Sequence, residues 1–307
     1  MTIHMRRITT YGLRSLYAGA VVLLLGGCAA AISQAPAGSS SVQAGAARAE
    51  DCFPFERLPQ ALQGRATDLL LNALDGEALY TIAADIKPMS SGFYSAQVTV
   101  AEPDLRDADE VRQILQAWTC GGEIEAAVHP FSAVYEGRRP LDAAVFNLPA
   151  LRRMLAKHQA FFAPYGVSPS TDPMIALMAI EYDTTSARLR GYGYFFGYPD
   201  YAVDFFAAAA DEQKATGGQV ARDFIRLPTV RGEGRFVYAA PKGHEPNAED
   251  LALRARVEQV FAEYEVRRAR HITPGSSAGV LALVREWFDN GRGDVRPSNA
   301  ATPGVRP

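Results

Sequence analysis

The sequence predicts an α+β fold: a single domain in which a mixed sheet is covered by several amphipathic helices. Segments with apolar residues every three to four positions alternate along the chain with short runs rich in β-branched residues. The stretch "FIRLPTVRGEGRFVYAAPK" predicts two strands joined across Gly232 and Gly234. No linker rich in Pro, Gly and Ser interrupts residues 51–290, so we expect one domain.

Six elements are predicted in the first half of this domain, each from its apolar spacing and its stop signal. They are a helix "LPQALQGRATDLLLNAL" ending at Asp75-Gly76, a short helix "EALYTIAADIKP" ended by Pro88, a strand "FYSAQVTVA", a helix "DADEVRQILQAWTCGG", and two strands "EIEAAVHPF" and "LDAAVFN".

The second half contains the clearest helix of the chain. Asn147 and Pro149 begin it, and its apolar residues follow a period near 3.6 before Gly166 ends it. The elements that follow are a helix "MIALMAIEY", a strand up to Gly197, a helix from Pro199-Asp200, the strand pair, a charged helix from Asn247 to about Arg270, and a last helix "AGVLALVREWFDN".

The N-terminal residues have the layout of a secretory signal peptide. Three arginines precede the apolar run "LYAGAVVLLLGGC", which is short for a permanent membrane span of about 20 residues. Leu25-Gly26-Gly27-Cys28 resembles the lipobox of bacterial lipoproteins, and the resemblance covers residues 1–28 only. It implies that residues 1–27 are removed, that Cys28 carries fatty acyl chains such as palmitate, and that Ala29 favours the outer membrane. The alternative is an ordinary signal peptide that is cut elsewhere.

Two low-complexity segments flank the domain. Residues 28–50 are rich in Ala, Gly, Ser and Gln, which predicts a flexible tether behind the lipidated cysteine. Residues 291–307 have the same character and predict a disordered tail. The chain has 31 basic and 34 acidic residues, and this balance argues against a nucleic-acid partner, which requires clustered Lys and Arg.

Cys52 and Cys120 are the two cysteines that remain after Cys28. In an oxidising periplasm they are expected to pair, and a loop of this size would contribute roughly 4 kcal/mol in the chain-entropy model. Two buried free thiols, or a reactive or metal-binding pair, are the alternatives.

The stretch "GYGYFFGYPDYAVDFF" is the main candidate for a ligand site. As a strand it would place Tyr192, Tyr194 and Phe196 on one face and mostly glycine on the other. Each tyrosine hydroxyl needs a partner. We therefore expect a pocket, suited to a sugar or another flat, hydroxyl-rich ligand, near the turn that Asp200 and Asp204 flank. The candidate ligand-binding residues are Tyr192, Tyr194, Tyr198 and Tyr201. The alternative is that all these rings are core.

Catalytic candidates are few. Lys87, followed by Ser90 and Ser91, suits an anionic ligand or a nucleophile with its base, although a lysine that neutralises helix carbonyls explains it as well. His244 is the histidine most available for acid–base chemistry. Gly275-Ser276-Ser277-Ala278-Gly279 matches a serine-hydrolase elbow, but a helix precedes it and no histidine follows, so we interpret it as a link between helices. The weak catalytic candidates are Lys87, His244, Asp200 and Asp204.

No cofactor or metal motif is present: "GYGYFFG" lacks the third glycine of dinucleotide binding, and no histidine pair has zinc spacing. We therefore predict neither a cofactor nor a metal. The sequence favours a lipid-anchored cell-envelope protein, facing the periplasm from the outer membrane, that binds a small molecule or an envelope-protein partner. An envelope hydrolase with a dispersed active site and a structural assembly component are the alternatives.

Overall fold

Helices account for about half of the residues that the structure describes. The computed structural model describes residues 47–232 and 236–296, which belong to one compact unit. The helices within these residues are α1 (Gln60–Leu74), α2 (Leu79–Ile82), α3 (Arg106–Leu115), α4 (Leu148–Lys157), α5 (Gln159–Phe162), α6 (Pro173–Glu181), α7 (Thr185–Phe195), α8 (Asp200–Thr216), α9 (Ala248–His271) and α10 (Val280–Phe288).

Six strands form two sheets. They are β1 (Met89–Ser90), β2 (Ser95–Thr99), β3 (Ile124–Pro130), β4 (Arg138–Asn147), β5 (Arg222–Leu227) and β6 (Phe236–Pro241). The first four strands form one sheet and β5–β6 a separate hairpin, with antiparallel pairing throughout. The α+β class is confirmed. The expected mixed sheet is wrong, because every pair of hydrogen-bonded strands among these residues is antiparallel.

The centre of the larger sheet is β4, which pairs with β3 along one edge and with β1 and β2 along the other. Its alternating side chains enter two different cores. Ala143 and Val145 join a cluster that includes leucines of α1 and α10, whereas Ala144 and Phe146 join a cluster with α4, α6 and α7. The sheet is therefore covered by helices on both faces.

The long helix predicted from Asn147 is interrupted. Asn147 caps α4 by accepting a hydrogen bond from the Ala150 amide at 3.0 Å. At His158 the backbone leaves the α-helical region, α5 follows, and residues 163–165 tighten into a 3-10 turn that contains Pro164. The predicted helix is therefore divided into three pieces, and Pro164, which lacks the amide hydrogen of a continuing α-helix, accounts for the second division.

Both ends of the domain extend beyond the predicted limits of 51 and 290. Arg48 forms a β-bridge with Asp294, and the Val295 amide donates to the Ala47 carbonyl at 2.7 Å. Residues 291–296 are thus part of the fold and not of a disordered tail. Cys52 and Cys120 are joined by a disulfide, with their Cα atoms 4.3 Å apart.

The predicted signal peptide, Cys28 and most of the predicted tether lie outside the described residues, as do residues 297–307. In the part of the chain that the structure describes, no helix combines the length and the apolar character needed to cross a bilayer.

Candidate functional site

The first part of the aromatic run is helical, and the predicted strand up to Gly197 is wrong. Thr184 caps α7, which continues through Phe195. A Cβ at Gly191 would lie 2.3 Å from Ile180 Cδ1, and one at Gly193 would lie 2.7 Å from Val203 Cγ2. The glycines therefore let α7 pack closely on α6 and α8, a tertiary requirement that happens to mimic the alternation of a strand.

A turn at Gly197 connects α7 to α8. Gly197 has a φ of +69°, and a Cβ there would lie 3.0 Å from the Ile86 carbonyl oxygen. The Tyr198 amide donates to the Gly193 carbonyl at 3.1 Å, and Pro199 then precedes the first turn of α8, as predicted. Since glycine adopts positive φ without strain, it allows this turn to lie against the backbone that leads into Lys87.

Between α7, α8 and the β5–β6 hairpin lies a cavity of about 270 Å³, which we name the apolar cavity. The aromatic run supplies Tyr192, Phe196, Tyr198, Val203 and Phe206 to its lining. The hairpin supplies Phe224, Val237, Tyr238 and Ala239. Two segments that are distant in sequence therefore enclose it.

Two of the three tyrosine hydroxyls at this cavity are bonded to carboxylates. Tyr192 donates to Glu181 Oε2 at 2.8 Å, and Tyr238 donates to Asp250 Oδ1 at 2.6 Å. Burial raises the pKa of Tyr192 far above its usual value, and the Glu181 carboxylate adds to the effect. The phenols of Tyr192 and Tyr238 stay neutral and bonded to those carboxylates, so protein groups satisfy these two hydroxyls.

The mouth of the apolar cavity lies at the hairpin. Phe224 is 49% exposed, whereas Val203 and Ala239 are buried. The exposed ring of Phe224 thus lies beside buried small side chains of the lining, and Ala239 is its direct partner across the hairpin.

Lys87 lies behind the wall of the apolar cavity and not at a cleft edge. Its side chain is fully buried, and Nζ lies 2.6 Å from Glu77 Oε2. The same nitrogen is 4.3, 5.1 and 5.4 Å from the ring centroids of Phe236, Phe196 and Tyr198. Burial lowers the pKa of Lys87, and the Glu77 carboxylate partly offsets this. Both sequence interpretations of Lys87 are therefore wrong, because it is a buried cation held by one carboxylate and three rings.

A second cavity, of about 360 Å³, lies between α4, the Gly197 turn and α9, and we name it the polar cavity. Tyr194, Tyr198 and Asp200 line it, so it contains three of the predicted site residues. The His158 ring stacks on Tyr194 with centroids 3.8 Å apart, and its Nε2 lies 3.4 Å from Asp200 Oδ1.

Charged side chains pair with one another around the polar cavity. Asp85 accepts from Arg153 at 2.6 Å and from Arg256 at 3.0 Å, and Lys157 donates to Asp200 at 2.9 Å. The members of these pairs are 28–57% exposed, so water competes with each interaction.

His244 and Tyr201 belong to a third cluster, at the start of α9. His244 Nε2 lies 2.7 Å from Asp250 Oδ2, and Tyr201 donates to Asp250 Oδ1 at 2.6 Å. Burial alone would raise the pKa of Asp250, but the hydrogen bonds from Tyr201, Tyr238 and His244 outweigh it and lower the pKa. Asn247 and Asp250 also form a capping box, so this cluster fixes the beginning of the helix.

The four catalytic candidates thus have four different partners. Lys87 pairs with Glu77, His244 with Asp250, Asp200 with Lys157, and Asp204 with Arg190. Of the predicted tyrosines, Tyr192 and Tyr198 line the apolar cavity, Tyr194 and Tyr198 line the polar cavity, and Tyr201 contacts His244. Tyr198 is the predicted residue that both cavities share.

The sequence analysis did not predict that the β5–β6 hairpin lines the apolar cavity. Phe224, Val237 and Ala239 were assigned to strands, and the alternation of "RDFIR" was the available signal that an aromatic ring and two arginines share a face. Among residues 47–232 and 236–296, no group of three or more His, Cys, Asp or Glu side chains is placed to hold a metal ion.

Comparison of the chain with family models, with curated proteins and with solved structures finds no match in any of the three.

Proposed function

We propose that this protein is a lipid-anchored component of the cell envelope whose domain binds a small apolar ligand in the apolar cavity. The observation that carries the proposal is a cavity of about 270 Å³ lined by aromatic and aliphatic side chains, with Phe224 at its mouth. The anchor rests on the lipobox-like residues 25–28 alone.

The size of the cavity limits the ligand. An apolar cavity of about 150 Å³ can stay dry and bind benzene. By proportion, a cavity of about 270 Å³ takes roughly ten carbon atoms, and water gains little there because the hydroxyls of Tyr192 and Tyr238 are already bonded.

The polar cavity is the weaker candidate. A ligand there must compete with the ion pairs of Asp85 and Asp200, whose cations lie within 3.0 Å. Burying apolar surface instead contributes about 25 cal/mol per Å² without breaking any interaction of the protein. Ligand binding is also favoured over the hydrolase alternative, since the four catalytic candidates have separate partners.

The test is to fill the apolar cavity. Residues 29–307 contain every described residue, and after export they would be titrated with the neutral fluorescent probe 1-aminonaphthalene, whose ten carbon atoms match the size of the cavity. Val237→Trp places an indole at the lining, so we expect affinity to fall at least about tenfold, as loss of a ligand-sized apolar volume requires.

The matched control is Val134→Trp, at a loop position that is 44% exposed and does not line the apolar cavity. It should bind the probe like the unmodified chain. Equal affinity of Val237→Trp and Val134→Trp, with both folded by circular dichroism, would exclude the apolar cavity as the binding site.

A further inference from the structure

Two arginines flank Phe224, the exposed residue of the apolar cavity's lining. Strand β5 places Arg222, Phe224 and Arg226 on one face, because side chains two residues apart point the same way. Phe224 lines the cavity, and its neighbours on this face are therefore the two guanidinium groups.

Both guanidinium groups lie over rings of the cavity lining. Arg222 Cζ is 5.4 Å from the centroid of Phe206, and Arg226 Cζ is 5.9 Å from the centroid of Phe224. Stacking of this kind leaves the edges of a guanidinium, which hold its N–H donors, open to an anion. Arg222 Nε already donates to the Val220 carbonyl at 3.1 Å, so its terminal nitrogens are the donors that remain.

The acidic side chains Asp223 and Asp204 each form an ion pair with a cation other than Arg222 or Arg226. Asp223 lies between the two arginines in sequence, but on the opposite face of β5, where it pairs with Lys242 at 2.6 Å. Within the described part of the chain, neither Arg222 nor Arg226 forms an ion pair within 4.0 Å, whereas Asp204 of α8 pairs with Arg190. Among the described residues, the two arginines that flank Phe224 are thus without a carboxylate partner.

We propose that the ligand is a single-chain amphiphile with a carboxylate head, of the medium-chain fatty acid class. Its tail occupies the apolar cavity, and its carboxylate accepts hydrogen bonds from Arg222 and Arg226. This inference rests on the proposed function, because it assigns the head group of a ligand whose tail that function places in the cavity. An anion is the group that guanidinium donors bind best.

The experiment compares decanoate with 1-decanol, which have the same chain length and differ in the charge of the head. Each is titrated into residues 29–307 by displacement of 1-aminonaphthalene at low salt. We expect decanoate to bind about five- to tenfold more tightly than decanol, the gain that two partly exposed charge pairs supply. Added NaCl should weaken decanoate and leave decanol unchanged.

The test variant is the double substitution Arg222→Gln and Arg226→Gln. It should remove the preference for decanoate and keep decanol affinity, which also shows that the variant is folded. The control Arg57→Gln with Arg106→Gln removes the same net charge from side chains that are 76% and 89% exposed, and it should keep the preference.

The outcomes separate the two proposals. Equal binding of decanoate and decanol by the unmodified chain overturns the head-group assignment and leaves the apolar site intact; the arginines would then only shield Phe206 and Phe224 from water. Failure of both to displace the probe overturns the proposed function. Equal affinity for hexanoate and decanoate would show that the tail does not enter the cavity, and would overturn both.

Discussion

The two cavities that share Tyr198 satisfy their polar groups in opposite ways. At the apolar cavity, the hydroxyls of Tyr192 and Tyr238 donate to carboxylates, and the Lys87 ammonium lies behind the rings. At the polar cavity, the charged groups are themselves part of the lining and pair with one another.

The ion pairs at the two cavities differ in solvent exposure, and this predicts different costs for breaking them. The Lys87–Glu77 pair is 0% and 16% exposed, whereas the Lys157–Asp200 pair is 57% and 43% exposed. Removing one partner of a buried pair strands a charge away from water, but removing one partner of an exposed pair leaves the other hydrated. Substitutions behind the apolar cavity should therefore be costly, and those at the polar cavity should be mild.

The largest effect is expected from Glu77→Ala. It leaves the Lys87 ammonium buried among Phe196, Tyr198 and Phe236, and should lower the free energy of unfolding by about 3–5 kcal/mol at pH 7. The loss should shrink as the pH rises toward the ordinary pKa of lysine, about 10.4, because the unfolded chain then also carries a neutral lysine. Urea denaturation at pH 7 and pH 10 measures both.

The control for this variant is Glu102→Ala, at an exposed position, which should change the free energy of unfolding by less than about 0.5 kcal/mol. If Glu77→Ala costs less than about 1 kcal/mol at pH 7, the pair is not buried in solution and the contrast between the two cavities is lost.

Local signals predicted the elements well and their packing poorly. The cap at Asn147 and the capping box at Asn247 are each contained within four residues, so the starts of α4 and α9 were predictable. The helix α7 was not predictable. Its glycines make room for Ile180 and Val203, and the alternating pattern of the local sequence contains no information about these tertiary contacts.

The site was predictable only in part. The run of rings identified Tyr192 and Tyr198, since hydroxyls so close together need partners. The opposite wall of the apolar cavity comes from Phe224, Val237 and Ala239, and tertiary packing of the hairpin brings these residues there. Lys87 was selected because two serines follow it. Its carboxylate and its rings come from separate parts of the chain, so the local sequence could not predict its burial.

An intermediate effect is expected from Gly193→Ala, which tests how tightly α7 and α8 enclose the apolar cavity. The new methyl would lie 2.7 Å from Val203 Cγ2, and overpacking of this kind costs roughly 1–3 kcal/mol, against a gain of about 1 kcal/mol in helix propensity. We expect a net loss of about 1 kcal/mol and weaker probe binding.

Gly64→Ala, in α1 with no atom within 4 Å of the added carbon, should instead stabilise the protein by up to about 1 kcal/mol. Thermal unfolding of the two variants side by side measures the difference, and a gain in both would show that α7 and α8 are not in close contact.

The smallest effect is expected from Asp200→Asn at the polar cavity. Its pair with Lys157 is exposed, so the free energy of unfolding at pH 8 should fall by less than about 1 kcal/mol. Burial lowers the pKa of His158, and the Asp200 carboxylate opposes that shift, so removing the carboxylate should lower the pKa further. A histidine whose pKa is lower in the folded state binds its proton in the unfolded chain first, so stability is complete above about pH 6.5 and declines as the pH falls below it. The variant should therefore lose more stability than the unmodified chain between pH 6.5 and 5.

Proton NMR titration of the His158 ring, with the exposed Asp211→Asn on α8 as the control, measures the pKa directly. An unchanged His158 pKa would mean that Asp200 does not contact the ring in solution, and the polar cavity would then lack the cross-pairing that distinguishes it from the apolar cavity.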